Sequence, residues 1–353
     1  MPYRPSFTMT ASTWKAVRSA DRAQGFLEAL SLSPRWIAEL ERSALAEEAY
    51  HTTVLEGSRV TLEQARRIVT GDPAEDVDPD SRREVVNVIE AATLLRDHLE
   101  AGLPFTQAVI REAHRRLVEG VRGGAAAPGA YRRMQNAVVD HATGEVVYTP
   151  PPAYAVPGRM ADLVDWLESL GRDQHPVVTA ALAHYELAAI HPFLDGNGRT
   201  ARLISTACLV RGGYGFTRLI SVSAHHDRDR SAYYGALRSA DRAGDLTAWV
   251  EYIATGIAGL ASELTSHGID ALWLDGLVLD HGLSDRQRIA VATVRGKGGL
   301  TIRDYQALFS ETPRRTLQHE LAQLVRAGLV VAEGAGPSAR YRAGPELRAK
   351  TGP

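Results

Sequence analysis

Residues 191–202 read HPFLDGNGRTAR. This short stretch gathers four chemical features. His191 is a base whose ordinary titration lies near neutrality. Asp195 is a hard oxygen ligand of the kind that suits a magnesium ion. Gly196, Asn197 and Gly198 make a turn whose backbone N–H groups can face an anion with no side chain in between. Arg199 and Arg202 follow at i, i+3 spacing, so on a helix they share one face. A glycine turn that opens a helix is a phosphate site, because the first-turn N–H groups lack intrahelical partners and the helix dipole favours negative charge. A base, a metal ligand, a phosphate cradle and two guanidinium groups are the parts needed to move a piece of a nucleotide onto a hydroxyl. The plainer alternative is a Gly/Asn cap between two helices with solvated arginines.

These residues need rigid support. The preceding run, HPVVTAALAHYELAAIH, is apolar nearly all round and predicts a buried central helix at about 176–190. The base then hangs from the end of a rigid element, with the anion turn directly after it. His184 on that helix reads as a buried structural histidine. Cys208, on the helix after the motif, reads as a small core residue. Upstream, residues 12–46 carry helical periodicity around Pro34. A second helix runs through AEEAYHTTVLEG to Gly57, and Thr61 with Glu63 or Gln64 opens TLEQARRIV as an N-cap. Residues 71–81 read as a loop, and helices are expected at 82–102 and 105–120. Residues 120–130 hold too much glycine for a helix. Val138 to Asp140 and Glu145 to Thr149, around Thr143 and Gly144, predict a short hairpin. A helix is expected at 155–170. Beyond the motif come the loop RGGYGF, a helix beginning near Asp227, an amphipathic helix over DLTAWVEYIATGIAGLASEL, and a helical connector at 266–282.

With 353 residues the chain has room for two or three domains. Its 44% hydrophobic and 23% charged content is ordinary for a globular protein, and a net charge of −2 points neither toward nor away from nucleic acid or anionic membrane. One cysteine rules out a disulfide framework within the chain and fits a cytoplasmic setting. The first ten residues hold no apolar run fit for a signal peptide, and no stretch of about twenty apolar residues suggests a membrane span. Basic residues other than Lys15, Lys297 and Lys350 are all arginine, so an isolated surface arginine carries little functional weight.

The motif resembles the signature of the Fic family, HPF-x-D/E-GNGR-x-x-R, at every specified position. The resemblance implies a mainly α, Fic-type helical core with a β-hairpin flap, and protein adenylyltransferase activity. ATP with Mg²⁺ would be held by Asp195, Gly196, Asn197, Gly198, Arg199 and Arg202, with Asp195 on the metal. His191 would take the proton from a Ser, Thr or Tyr hydroxyl of a target protein. The segment TTVLEG, residues 52–57, resembles the inhibitory motif S/T-x-x-x-E-G/N of Fic proteins that carry their brake N-terminal to the core. Glu56 would then pair with Arg202 and displace the γ-phosphate; it could equally position a water for the reverse reaction, removal of AMP. A bidentate Arg–carboxylate pair competes directly with Arg–phosphate, whatever the family. By the same resemblance Val146, Val147 and Tyr148 form a target-docking flap that lends a strand edge. Gly129, Tyr131 and Arg132 match a G-x-Y-R element. Tyr233 and Tyr234 match paired tyrosines that help wall an adenine pocket, though as core tyrosines they would look the same. The Doc-like kinase subgroup has Lys where Gly198 stands, which turns the reading away from a kinase; UTP or a choline-linked nucleotide as substrate stays open. The expected partners are a target protein and a second copy of the chain, with no membrane.

The tail has another texture. Ser284 caps RQRIAVATV, Thr301 opens RDYQALF, and Thr312-Pro313 opens RRTLQHELAQLVRA. Val330 and Val331, then residues 334–337, then Arg340 to Arg342 suggest two strands of a wing. This resembles a winged helix-turn-helix. Residues 281–353 hold 12 basic and 6 acidic side chains, so the tail carries +6 and the rest of the chain −8. Such asymmetry fits a DNA-facing appendage, with Arg314, Arg315, Gln318 and His319 aimed at a major groove. It supports a rival function: a DNA-binding transcription regulator whose Fic core senses nucleotide. The alternative use of such a module is protein contact. The expected domains are an N-terminal helical region with the inhibitory helix at 1–75, a catalytic core at 76–265, and a connector with the winged module at 266–353.

Overall fold

The structure, a computed structural model, describes residues 2–29, 34–121, 127–139, 144–334 and 339–348. The chain divides into two compact units, residues 1–265 and 266–353. It is mainly helical, with a few short strands. No helix among the described residues is long and apolar enough to cross a membrane.

The first unit is built around α7 (Pro176–Ile190), whose mean composition leaves no polar face. Val177, Val178, Ala180 to Ala183, Leu187 and Ile190 are all buried. The alanines let α8 (Asn197–Arg211) approach closely, and Ser205 on α8 donates to the Ala180 carbonyl at 3.0 Å. Burying each large side chain here, such as Leu182 or Leu187, is worth roughly 1.5–3 kcal/mol. Cys208 is part of the same core, and burial pushes its thiol up to about 12, so it is no nucleophile at neutral pH.

Around this pair lie α1 (Ala11–Ala29), α2 (Pro34–Val54), α3 (Leu62–Thr70), α4 (Pro79–Glu100), α5 (Gln107–Val118) and α6 (Val156–Glu168). Two helices expected over 12–46 and 46–57 divide differently. Pro34 starts one continuous helix that runs to Val54, and Glu56 lies in the turn just beyond it. Pro is well tolerated in a first turn, so the chain breaks before Pro34 and not after the apolar cluster that follows it. The Thr61–Gln64 capping box forms as expected. The loop at 71–81 is shorter than expected, because Asp78 caps α4 with Pro79 as its first residue.

The hairpin is small: β1 (Val138–Val139) pairs antiparallel with β2 (Val146–Tyr148), with an irregularity between Val138 and Val139. The expected turn residue Thr143 and strand residue Asp140 lie outside the described residues. After α8, a helix expected near Asp227 begins earlier, at Val222. Ser221 caps α9 (Val222–Arg228), and Asp229 then caps α10 (Arg230–Ala243). The amphipathic helix and the connector are one element, α11 (Thr247–His281).

The second unit contains α12 (Asp285–Lys297), β3 (Leu300–Thr301), α13 (Ile302–Leu308), α14 (Arg314–Arg326), β4 (Val330–Glu333), β5 (Arg340–Ala343) and α15 (Pro345–Arg348). Its antiparallel sheet has the order β3-β5-β4. Leu317, Leu321 and Leu324 of α14 enter its core with Val291, Val294 and Tyr305, while Arg314, Arg315, Gln318 and His319 are exposed. The wing residues 335–337 lie outside the described residues.

Candidate active site

His191 is the C-terminal cap of α7. It adopts the left-handed backbone conformation, φ 49° and ψ 57°, and its N–H still reaches the Leu187 carbonyl at 3.0 Å. For a residue with a Cβ this region costs of order 1 kcal/mol, so the surroundings must hold it. The turn swings the imidazole off the helix axis. Its Nδ1 lies 3.4 Å from the Ala188 carbonyl. A carbonyl can only accept, so Nδ1 carries the proton and Nε2 is left with a free lone pair. Burial holds the His191 pKa below its ordinary value against the pull of the Ala188 carbonyl, and the nearby Arg132 charge adds to this. The ring is therefore a neutral base at neutral pH.

The turn after it is closed by the motif's own side chains. Asn197 accepts from the Phe193 N–H and donates to the Phe193 carbonyl, both at 2.9 Å. That side chain was expected on the nucleotide; here both ends of its amide bind main chain. Gly196 is left-handed, and a Cβ there would run into Val118 and His114. From α5, His114 donates through Nε2 to the Asp195 carbonyl at 2.9 Å and accepts the Gly129 N–H at 3.0 Å. Its ring stacks on Phe193, with centroids 3.6 Å apart. As the first turn of α8, Asn197, Gly198 and Arg199 have N–H groups with no intrahelical partner.

Arg199 and Arg202 are both buried, with side chains 2% exposed. Arg202 donates through Nε to the Thr52 hydroxyl at 2.8 Å, and through Nη2 to the Thr52 carbonyl at 3.0 Å and Glu56 Oε1 at 2.6 Å. The segment 52–57 and the motif helix, expected to meet, are thus joined. Burial acts to raise the Glu56 pKa, but the Arg202 and Arg199 charges outweigh it and hold the carboxyl below its ordinary range. A Cβ on Gly198 would strike the same Glu56 oxygen, so the carboxylate sits over the glycine turn itself.

Arg199 is less well served. Its Nη2 lies 3.4 Å from Asp195 and its Nη1 3.9 Å from Glu84 of α4, and neither Nε nor Nη1 has a hydrogen-bond partner among the described residues. A buried guanidinium with unused donors beside a glycine turn and free first-turn N–H groups fits a polyphosphate. Asp195 is half-exposed, with one oxygen on the Gly196 N–H. No group of three or more acidic, histidine or cysteine ligands occurs among the described residues. The half-exposed Asp195 carboxylate is a hard oxygen donor of the kind that holds Mg²⁺ together with substrate phosphates.

The tyrosines separate. Tyr233 is buried, its hydroxyl 3.0 Å from His184 Nε2, and belongs to the core cluster with His226 and Trp249. Tyr234 is 37% exposed. His184 is structural: burial lowers its pKa to about 3. In the hairpin, Val146 and Val147 are exposed and Tyr148 anchors β2 by donating to the Ala189 carbonyl at 2.8 Å. Among the described residues β2 pairs only with β1, so its outer edge is open.

Three residues of this site carried no assigned role in the sequence. His114, Arg132 and Glu84 are buried polar groups on elements far from the motif in sequence. A signal existed for each, since a charged or imidazole side chain on the apolar face of a predicted helix or loop needs a partner. The sequence does not say which partner.

Residues 104–209 match the model of the Fic/DOC family. The chain thus carries a Fic/DOC domain over those residues. It is 33% identical to "Protein adenylyltransferase Fic" of Drosophila willistoni over 249 residues, which cover 68% of this chain and 45% of that one. The chain therefore spans under half the length of that relative. Among solved structures it is similar to a Fic family protein from Desulfovibrio desulfuricans G20, with a TM-score of 0.65 and 25% identity over 97% of this chain and 99% of that one. It is also similar to Fic-1 (residues 134–508) from C. elegans, with a TM-score of 0.61 and 26% identity over 75% of this chain and 74% of that one.

Proposed function

We propose that this protein transfers AMP from ATP to a hydroxyl side chain of a target protein, and that Glu56 holds it in an inhibited state. The observation that carries this is the combination of a neutral imidazole with a free Nε2 and two buried arginines beside a glycine turn, one of them occupied by Glu56. The reading is supported by the name of the Drosophila relatives, protein adenylyltransferase.

His191 Nε2 accepts the proton of the attacking Ser, Thr or Tyr hydroxyl, whose oxygen attacks the α-phosphorus of ATP in line and expels pyrophosphate. Arg199, Arg202 and the N–H groups of Gly198 and Arg199 hold the phosphate oxygens. Asn197 keeps the turn closed. Asp195 would hold Mg²⁺, which supplies charge neutralisation on the phosphates. Tyr234 borders the adenine. The open edge of β2 takes an extended target segment as a third strand. The test is transfer of label from α-labelled ATP by the Glu56→Gly variant, with the His191→Ala derivative beside it. Label in the first and none in the second is expected; equal labelling removes His191 from the reaction.

A second reading concerns residues 281–353. Four polar side chains, Arg314, Arg315, Gln318 and His319, are exposed on one face of α14 while its leucines are buried. Residues 281–353 carry a net +6, and that face suits the major groove of DNA in the manner of a winged helix-turn-helix. Footprinting on the DNA upstream of the protein's own coding region tests it. Protection that Arg314→Ala/Arg315→Ala removes is expected, and no protection up to physiological salt assigns the face to protein contact.

A further inference from the structure

Arg132 makes contacts that neither a core residue nor a surface residue needs. It is 3% exposed, and among the described residues it faces no carboxylate. Every donor it uses goes to a main-chain carbonyl. Nε donates to His191 O at 2.9 Å and Nη2 to Ile190 O at 3.4 Å, the last carbonyls of α7 and its cap. Nη1 donates to Met134 O at 3.2 Å and Nη2 also to Pro151 O. The Arg132 N–H itself donates to Pro192 O at 2.9 Å. Met134 and Pro151 lie on either side of the hairpin, where the chain leaves for β1 and returns from β2.

We propose that Arg132 is a positioning residue that ties both ends of the hairpin flap to the left-handed turn at His191, and so sets the base and the target's docking edge in one frame. Burying a guanidinium costs several kcal/mol unless it is fully hydrogen-bonded. An apolar side chain would fill the same space without that cost, so the charge is there for its fork of donors. Only arginine presents five N–H groups in a plane, enough to serve four carbonyls on three segments at once. The negative end of the α7 dipole compensates the charge in place of a carboxylate. The His191 backbone, strained at φ 49°, is held by this clamp and by the Leu187 bond. The same charge acts on the ring. The charged groups that face His191 are Arg132, which lowers its pKa, and Glu56 and Asp195, which raise it.

This rests on His191 as the base, so the experiment separates the two claims. In the full chain carrying Glu56→Gly, self-labelling from α-labelled MgATP is measured against ATP concentration and pH, with and without Arg132→Lys or Arg132→Gln. No label in the Glu56→Gly parent, or label that survives His191→Ala, is a failure of the functional reading. With that parent active, both Arg132 variants should lose at least tenfold in rate at saturating ATP, since a shift of about 1 Å at a reacting group can cost about a hundredfold. The half-saturating ATP concentration should stay within about twofold, because Arg132 does not touch the phosphate cradle. The acid limb of the rate profile should move up in pH for Arg132→Gln, which loses the charge, and stay in place for Arg132→Lys, which keeps it. Parent rates in both variants, a loss carried by ATP half-saturation, or an unmoved limb in Arg132→Gln overturns the proposal. If thermal melting shows Arg132→Gln unfolded, the rate of Arg132→Lys at saturating ATP decides alone.

Discussion

Glu56 Oε1 lies 2.6 Å from Arg202 Nη2, joining the end of α2 to the second turn of α8 across 146 residues of sequence. The same oxygen stands where a side chain on Gly198 would be. One carboxylate thus occupies both a guanidinium and the glycine turn, two places a phosphate would need. Removing it should free both. Glu56→Gly is expected to raise the initial rate of label transfer at least tenfold over the parent chain, measured with α-labelled ATP. Equal rates would separate the contact from any inhibition. The brake should also be insensitive to pH across the neutral range. The Glu56 pKa is depressed, so its contribution is fully present above the ordinary carboxylate value and is lost only as pH falls through the lower folded value.

His191, proposed as the base, should also lose its role only on the acid side, and there the rate falls where loss of the Glu56 contact would raise it. Burial holds the His191 pKa below 6.5. In the Glu56→Gly chain the rate should be flat from about pH 7 to 8 and decline only on the acid side, below the reference histidine value of about 6.5. His191→Ala should abolish transfer while leaving the thermal midpoint within about 2 °C, because the backbone of the turn is held by Arg132 and Asn197 and not by the ring. A rate that climbs steeply between pH 7 and 8 would point to another base.

Much of this site was legible in the chain itself. The twelve residues from His191 to Arg202 name their chemistry by type and spacing, and the absence of a polar face on α7 marks it as the buried support. The Glu56–Arg202 contact was legible only through the resemblance of TTVLEG to an inhibitory motif, and the helix that carries Thr52 starts at Pro34 and ends before Glu56. Paired residues distant in sequence were not legible. Nothing local to Arg132, His114 or Glu84 says that one meets the His191 carbonyl, another the Asp195 carbonyl, and the third Arg199. Tyr233 and Tyr234 are adjacent and alike, and only the packing of α10 on the core sends one inward to His184 and leaves the other at the surface. Ser or Thr before an apolar run marks the helix starts at Thr61, Ser284 and Thr301, whereas the caps at Asp78, Ser221 and Asp229 sit in stretches that do not single them out.

Buried histidines make the fold sensitive to acid. Burial pushes His114 down to about 4, against its bond to the Asp195 carbonyl, and His184 down to about 3. Each is neutral in the folded chain and free to take a proton, near the reference value of about 6.5, in the unfolded one. The unfolded state therefore binds more protons between about pH 6.5 and the folded values, and stability falls as pH drops through that window. The urea midpoint should be clearly lower at pH 5.0 than at pH 7.5. In His114→Gln, which keeps a donor for Asp195 without the titration, the pH dependence should be shallower even though the midpoint at pH 7.5 is reduced. An unchanged slope would mean that His114 is not the group being charged.

Glu84 and Arg199 form the second buried pair of the site, at 3.9 Å and with side chains 3% and 2% exposed. Their separation is too long for a hydrogen bond, so the carboxylate acts as a counter-charge and leaves Arg199 Nε and Nη1 free for a ligand. Replacing one member of a buried pair leaves the other charge uncompensated, which commonly costs ~3–5 kcal/mol. Asp195 shares the load here, so Glu84→Gln is expected to lower stability by about 1–3 kcal/mol in urea unfolding. A nucleotide would then supply the negative charge that the variant lacks. In the Glu56→Gly background, saturating MgATP should raise the thermal midpoint of Glu84→Gln by more degrees than it raises the parent's, because the ligand relieves a penalty that the parent does not carry. A smaller rise in the variant would show that Glu84 aims Arg199 at the phosphates in addition to neutralising it, and would turn the expected gain in ATP stabilisation into a loss.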